Sequence, residues 1–159
     1  MERLWTPWRM EYIQSVHEPN EGCFLCQAPE AEDEAAALVL ARTERAYALL
    51  NAYPYNPGHT MVAPLRHTGE FGSLSQQELA DCMSLLQRVI AAISESAGPN
   101  GFNVGMNLGR VAGAGTPDHL HWHVVPRWSG DVNMMTIFGD TRVLPELLAE
   151  TYAKLQPLL

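Results

Sequence analysis

The sequence predicts an α+β fold in which an antiparallel β-sheet carries helices on one face. Three observations lead to this prediction. Apolar segments of strand length lie both before and after one long stretch of helical periodicity. The turn between the first two strands is short, which is typical of antiparallel pairing. A second helical stretch ends the sequence, so the order is strands, long helix, two more strands and terminal helix.

Length and composition limit the class of protein. The 159 residues fit one domain, and 47% hydrophobic with 18% charged residues is typical of a globular chain. A net charge of −8 argues against general binding to nucleic acid or to a membrane surface, although a locally positive pocket could still take a nucleotide. We find no signal-peptide pattern and no apolar run of about 18 residues. With only three cysteines, the chain is expected to be cytoplasmic.

Residues 1–20 are interpreted as an N-terminal arm. Trp5 and Trp8 make the arm aromatic, and Pro7 and Pro19 interrupt any long helix. The arm is expected to pack either on its own domain or on a second subunit, and the sequence favours neither alternative.

Three strands are predicted before the long helix. Residues 37–42 and 46–52 are apolar segments separated by three turn residues, which predicts a hairpin. A loop rich in proline, asparagine and glycine follows, and residues 60–64 form the third strand.

The clearest helix covers residues 75–96. Ser75 is a favourable N-cap, and Glu78 follows at the capping-box spacing. Apolar residues then recur at helical intervals, at Leu79, Met83, Leu86, Ile90 and Ile93. Residues 98–101, Gly-Pro-Asn-Gly, end this helix.

Two strands and a helix complete the order. Residues 102–108 alternate, with the apolar side chains Phe102, Val104, Met106 and Leu108 on one face. A loop of small residues, 109–115, leads to a last strand that contains three histidines. The terminal helix is predicted from about residue 144 to 155.

His119, His121 and His123 alternate with bulky apolar residues. In a strand all three imidazoles leave one face of the sheet, whereas in a helix His119 and His123 would form an i,i+4 pair suited to a metal. The following valines and Pro126 favour the strand. Single histidines are mostly satisfied polar groups, but three on one face favour a functional site. A neutral imidazole can attack phosphorus, and its neighbours can fix its tautomer and protonate a leaving group.

The loop before these histidines has a weaker signal. Asn107, Gly109, Gly113 and Gly115 surround residues whose backbone N–H groups could face a phosphate. There is no G-K-[ST] sequence, so this is not a P-loop. Without the neighbouring histidines, a plain connector would be the better interpretation.

Cys23 and Cys26 form a C-x-x-C motif, for which a metal site, a redox pair and free thiols are the alternatives. The redox alternative is weak because the pair does not open a helix after a parallel strand. Cys82 lies near the apolar stripe of the long helix and is expected in the core.

Several of these motifs resemble the histidine triad superfamily. Residues 119–125, His-Leu-His-Trp-His-Val-Val, fit its H-φ-H-φ-H-φ-φ signature, where φ is apolar, and residues 57–62 resemble its P-G-H segment. The match covers residues 22–128 as a core, followed by a C-terminal loop and helix over 129–159. Residues 4–10, 51–59, 101–109 and 124–128 are similar to the bacterial diadenosine tetraphosphate phosphorylase branch. The resemblance implies a five-stranded antiparallel sheet in a single domain over residues 1–159.

The resemblance also implies roles for particular residues. His121 matches the nucleophile that takes a nucleoside monophosphate, His119 and His123 flank it, and His59 matches a fourth histidine of the network. Asn51 matches an asparagine near the nucleotide ribose. His67 and His119 match the residues that complete a structural Cys₂His₂ zinc site with Cys23 and Cys26. We expect adenine nucleotides or dinucleoside polyphosphates as ligands, no organic cofactor, and a homodimer or higher homo-oligomer.

The second substrate is not set by the triad, because water would give a hydrolase and inorganic phosphate a phosphorylase. Hydrolase branches often carry glutamine or serine at the position of Gly115, so we hypothesise that free phosphate occupies the space left there. Asn107, Thr116 and Trp128 are the candidates to line this pocket. The alternatives are a hydrolase of the same superfamily, either an asymmetric dinucleoside polyphosphate hydrolase or a nucleoside phosphoramidase, and a non-catalytic nucleotide sensor. A catalytic zinc bound by all three histidines is least favoured, because alternate strand residues lie about 7 Å apart.

Overall fold

The computed structural model describes residues 22–131 and 146–159. The predicted arm, residues 1–20, lies outside the described residues, as does most of the segment that leads to the terminal helix.

The sheet has five antiparallel strands in the order β1-β2-β3-β5-β4. The strands are β1 (Val39–Arg42), β2 (Ala46–Leu50), β3 (Thr60–Pro64), β4 (Gly101–Met106) and β5 (Trp122–Arg127). The first three form a meander, whereas β5 inserts between β3 and β4. The predicted α+β class and the five-stranded antiparallel sheet are confirmed.

Three helices lie among the described residues: α1 (Phe24–Gln27), α2 (Gln76–Ala97) and α3 (Leu148–Leu155). The predicted capping box is present, because Ser75 Oγ accepts the Glu78 N–H while the Glu78 carboxylate accepts the Ser75 N–H. Gly98 ends α2 in the left-handed conformation. The terminal helix begins later than predicted, because Leu147 is still extended. Within the described part of the chain, no helix is long and apolar enough to cross a membrane.

Each face of the sheet packs on its own apolar cluster. The face towards α2 and α3 contains Val62, Trp122 and Val124 together with Leu85, Val89 and Ile93 of the long helix. The opposite face carries a smaller cluster of Leu25, Val39, Tyr47, Leu49, Met61 and Ala63. Tyr47 Oη donates to the Leu25 carbonyl oxygen at 2.6 Å, which fixes α1 against this second face. Apolar side chains therefore cover part of both faces of the sheet, and the larger cluster is the one on the helix side.

The histidine strand is shorter than predicted. It begins at Trp122 instead of His119, because the preceding residues bond elsewhere: the His119 N–H donates to Thr116 O, and the Leu120 N–H donates to Thr68 O. The alternation nevertheless holds, since Trp122 and Val124 pack in the helix-side core and His123 points to the other face.

The apolar stripe predicted for residues 102–108 is only half buried. Phe102 and Met106 pack against the core, but Val104 is 46% and Leu108 51% exposed. The reason is position, because β4 is an edge strand without contacts to α2 as extensive as those of β2 and β3.

Glu78 also provides a pH-dependent contribution to stability. Its carboxylate accepts hydrogen bonds from Arg66 and from the Ser75 N–H, and these lower its pKa from 4.5 to about 2. A lowered folded-state pKa means stability that is present above pH 4.5 and lost as the pH falls towards 2. We therefore expect Glu78→Gln to lower the free energy of unfolding at pH 7 but not at pH 2, measured by urea unfolding across this range. An equal loss at both pH values would contradict this.

Candidate functional site

The histidines gather on the sheet face that lies opposite α2. His123 pairs with Met61 on β3 and with Gly105 on β4, and directly paired residues share a face. Its ring centroid lies 4.9 Å from that of His121 and 5.1 Å from that of His59. His59 is delivered by the turn at Gly58, whose φ of +79° strongly favours glycine. His59, His121 and His123 thus form one cluster, as predicted.

The tautomer of His121 is fixed by a backbone carbonyl. His121 Nδ1 lies 2.9 Å from the carbonyl oxygen of His119, and a carbonyl can only accept. Nδ1 therefore carries the hydrogen, and Nε2 of the neutral ring has a lone pair. His121 is 6% exposed, so this nitrogen lies in a largely desolvated site.

A second chain of hydrogen bonds orients His123. The Tyr55 N–H donates to His59 Nδ1 at 3.1 Å, so the hydrogen of a neutral His59 is on Nε2. That Nε2–H donates to His123 Nδ1 at 3.0 Å, which leaves the hydrogen of a neutral His123 on its own Nε2. The Tyr55 ring also stacks on His59, with centroids 4.8 Å apart. The network therefore fixes the His123 ring, which lies edge-on to the His121 ring with centroids 4.9 Å apart.

Burial keeps the His59 and His121 imidazoles neutral at neutral pH. Burial lowers the pKa of His59 to about 3, with smaller contributions from His123 and His121. Burial also lowers the pKa of His121, against the opposing effect of its bond to the His119 carbonyl. At neutral pH the His121 ring is therefore uncharged, and a neutral imidazole is the form that can attack phosphorus.

His119 points away from this cluster, towards the C-x-x-C motif. Its Nε2–H donates to the Pro64 carbonyl oxygen at 2.8 Å, so the lone pair is on Nδ1. That Nδ1 lies 3.3 Å from Cys23 Sγ and 3.5 Å from Cys26 Sγ. His67 Nδ1 lies 3.2 Å from Cys26 Sγ.

These four side chains could hold a metal ion. The ligand atoms of Cys23, Cys26, His67 and His119 all lie within 4.8 Å of one another, as a single four-coordinate site requires. Two thiolates and two imidazoles are a donor set suited to such a site. The predicted ligands are thus brought together. His119 belongs to this group and also contacts His121 of the histidine cluster through its backbone carbonyl.

The residues predicted to bind phosphate or ribose, apart from Trp128, lie just after β2, just after β4 and in the loop before His119. The Asn51 N–H donates to the His59 carbonyl at 2.9 Å, which places Asn51 beside the fourth histidine. Asn107 follows β4 and donates from Nδ2 to the Gly113 carbonyl at 3.3 Å, closing the small-residue loop. Gly115 and Thr116 end that loop, where Thr116 O accepts the His119 N–H.

Trp128 is not brought to the histidines. Its Nε1 donates to Ala97 O at the end of α2, on the helix side of the sheet. There it lines a cavity of about 550 Å³ between α2, α3 and the residues around Asn56. Trp128 follows β5 with the side-chain parity of Trp122 and Val124, which explains why it leaves the sheet on this side.

Sequence reasoning missed several residues that position the site. The N–H of Tyr55 and the carbonyl oxygen of Pro64 act through the backbone, which no side-chain pattern reveals. Gly69 was missed as well, although its lack of a side chain matters: a Cβ there would lie 2.5 Å from the Pro117 carbonyl oxygen. The only sequence signal for any of these residues was the aromatic side chain of Tyr55, four positions before His59.

We expect Gly69→Ala to displace the segment that leads into His119. The new Cβ would contact backbone atoms of Pro117 and Asp118, which cannot move aside as a flexible side chain could. Overpacking of this kind costs about 1–3 kcal/mol, and the turnover number should fall because His121 follows directly. Gly72→Ala is the matched control, since its Cβ would have no atom within 4 Å. Equal unfolding midpoints and rates for the two variants would contradict the assignment.

Comparison with known proteins agrees with this geometry. The HIT domain family model matches residues 32–130. The chain is 46% identical to the AP-4-A phosphorylase of Mycobacterium tuberculosis over 95% of this chain and 80% of that protein. It is 32% identical to an adenosine 5'-monophosphoramidase of Schizosaccharomyces pombe, over 78% of this chain and 88% of the relative. Among solved structures, a zinc-bound histidine triad family protein from Mycobacterium smegmatis has a TM-score of 0.67 and 27% identity, covering 86% of this chain and 92% of that one.

Proposed function

The chain belongs to the HIT domain family and is an enzyme, and we propose that it cleaves dinucleoside polyphosphates such as diadenosine tetraphosphate through a nucleotidyl-His121 intermediate. The observation that carries the proposal is the bond from His121 Nδ1–H to the His119 carbonyl, because it leaves the Nε2 lone pair for attack. The proposal takes residues 1–159 as one HIT domain and places the enzyme in the cytoplasm.

In the first step, His121 Nε2 attacks the phosphorus next to one adenosine. A P–N bond forms, the bond from that phosphorus to the bridging oxygen breaks, and ATP leaves from diadenosine tetraphosphate. The Nε2–H of His123 is oriented to donate a hydrogen bond to a phosphate oxygen or the leaving oxygen. Because the His121 ring is neutral and buried, little solvent has to be removed from it before attack.

In the second step, an acceptor attacks the same phosphorus and releases His121. Phosphate as acceptor yields ADP, whereas water yields AMP. Phosphate is supported by the 46% identical relative named AP-4-A phosphorylase. We assign the acceptor to the space beside Gly115, bounded by Asn107 and Thr116, and the ribose to Asn51. Trp128 is not assigned to this pocket because it lies at Ala97 on the other side of the sheet.

The acceptor is tested by product analysis. The purified protein is incubated with diadenosine tetraphosphate, with and without inorganic phosphate, and the nucleotides are separated by chromatography. We expect ADP and ATP, with a rate that rises with phosphate until it saturates. AMP and ATP at a rate independent of phosphate would establish a hydrolase instead and overturn the phosphorylase assignment.

A nucleoside phosphoramidase is the second candidate, favoured by the 32% identical phosphoramidase from Schizosaccharomyces pombe. It would use the same nucleophile but break a P–N bond in a substrate with one nucleoside. Adenosine 5'-phosphoramidate therefore serves as the competing substrate in the same assay. A larger kcat/KM for it than for diadenosine tetraphosphate would favour this candidate.

We also propose that the four-ligand site holds zinc and that the protein forms a homodimer. Zinc is supported by the Cys₂His₂ donor set and by the zinc-bound structural relative. When bound, zinc would supply a structural cross-link between α1 and the segments that contain His67 and His119. Dimerisation is supported by β4, an edge strand with the exposed apolar side chains Val104 and Leu108 next to its open edge.

A further inference from the structure

Within residues 22–131 and 146–159, His119 is the residue that contacts both the cysteine pair and His121. Its side chain is fully buried, with Nδ1 at the two thiols and Nε2 at the Pro64 carbonyl. Its backbone carbonyl accepts the Nδ1–H of His121 at 2.9 Å. The same residue is therefore fixed at its side chain by the C-x-x-C motif and fixes the nucleophile through its main chain.

We propose that Cys23 and Cys26 are positioning residues for the nucleophile: by holding His119, they keep His121 in the tautomer that can attack. The proposal rests on the proposed function, to which it adds a second role for the metal ligands. Neither cysteine has to touch the substrate.

Both ring nitrogens of His119 have partners, and Nδ1 of His121 is bonded to the His119 carbonyl. If the two cysteines can no longer bind a metal, His119 Nδ1 becomes a buried acceptor without a strong partner, which is unfavourable. A shift of the His119 backbone that gives Nδ1 a new partner would move the carbonyl oxygen away from His121 Nδ1. Without this acceptor, the His121 ring no longer prefers hydrogen on Nδ1, and the alternative tautomer places hydrogen on Nε2, where it blocks attack.

Oxidation of the cysteine pair offers a reversible way to remove the ligands. Residues three positions apart on one helical turn have Cα atoms about 5 Å apart, within the range of a disulfide. A peroxide oxidises the two thiols to one disulfide and is itself reduced, hydrogen peroxide giving two molecules of water. A disulfide has no thiolate to bind a metal, so oxidation is expected to release the ion. His119 Nδ1 would then lose the partner that fixes its side chain.

The third cysteine provides the matched control. Cys82 is fully buried in the helix-side core, and burial raises its pKa to about 12, so its thiolate is scarce. Cys82→Ala should therefore leave the response to peroxide unchanged.

The test compares Cys26→Ser, Cys26→His and Cys82→Ala with the wild-type protein. Four quantities are measured: bound zinc, kcat, KM and the ¹⁵N shifts of the His121 ring, which report which nitrogen carries the hydrogen. We expect Cys26→Ser to lose zinc, to lower kcat by roughly 10–100-fold with little change in KM, and to shift His121 away from the Nδ1–H form. Cys26→His, which supplies another metal ligand, should restore all of these in part. Peroxide should reproduce the Cys26→Ser effects in wild-type and Cys82→Ala protein, and dithiothreitol with zinc should reverse them.

The outcomes separate this proposal from the proposed function. A wild-type protein that cleaves dinucleotides, with kcat and His121 shifts unchanged after loss of zinc, would overturn the positioning role alone. If no dinucleotide is cleaved, the ring shifts still test the link between the cysteines and His121. Should Cys26→Ser fail to fold, the peroxide-treated wild-type protein and Cys26→His decide the question.

Discussion

Replacing His121 with alanine is expected to lower kcat for diadenosine tetraphosphate by roughly 10⁴-fold or more, because a nucleophile that forms the covalent intermediate has no substitute. The structure supports this size of effect, since the rings of His59 and His123 are committed to each other through a 3.0 Å hydrogen bond. Neither ring is oriented to act in place of His121, whose Nε2 lone pair is available because its hydrogen is on Nδ1, bonded to the His119 carbonyl.

Two further measurements make this prediction specific. Nucleotide binding by the variant, followed by calorimetry, should stay within a few-fold of wild type, since the ribose and phosphate contacts are assigned to other residues. In wild-type protein quenched with base, mass spectrometry should detect one adenylyl group on the peptide that contains His121, because a P–N bond survives alkali. Substantial turnover by His121→Ala would refute the nucleophile assignment. Binding without turnover in the wild-type protein would instead establish a nucleotide sensor.

Local sequence rules predicted the fold well because they act within a few residues. The capping box of Ser75 and Glu78 and the stop at Gly98 are short-range signals, and both place α2 within a residue of its observed bounds. The parity of residues 119–125 assigned His119, His121 and His123 to one cluster. His121 and His123 do lie together, although the strand begins only at Trp122, whereas the His119 ring turns to the cysteines instead.

The errors arose where distant segments decide the outcome. His119 and Leu120 leave the strand because their N–H groups bond to Thr116 and Thr68, and no periodicity in residues 119–125 encodes that. Trp128 is an exception: it was named as a candidate for the phosphate pocket, although strand parity, a local rule, already places its side chain on the helix side of the sheet, where Nε1 donates to Ala97 O. The tautomers of His59 and His121 depend on a backbone N–H and a backbone carbonyl, which are common to nearly all residue types.

The metal site predicts the largest effect on stability. Removing zinc with a strong chelator is expected to lower the unfolding temperature by roughly 8–16 °C, since ligand at about 1,000 times its Kd contributes about 4 kcal/mol, and each kcal/mol shifts a domain of this size by about 2–4 °C. The loss should concentrate on α1, whose four residues Phe24–Gln27 have few other anchors: the buried Leu25 and the bond from Tyr47 Oη to Leu25 O.

Scanning calorimetry, with metal content measured on the same samples, tests this. Added zinc should restore the wild-type midpoint, whereas Cys23→Ser should start from the lower midpoint and respond to neither chelator nor zinc. Hydrogen exchange should show the largest gain in α1 and in residues 116–120, because both are tied to the site through Cys26 and His119. An unchanged midpoint in protein shown to be free of metal would mean that the four ligands do not stabilise the fold. The position of His119 would then be set by the bond from its Nε2–H to the Pro64 carbonyl and by the backbone bonds of His119 and Leu120, without a contribution from a metal.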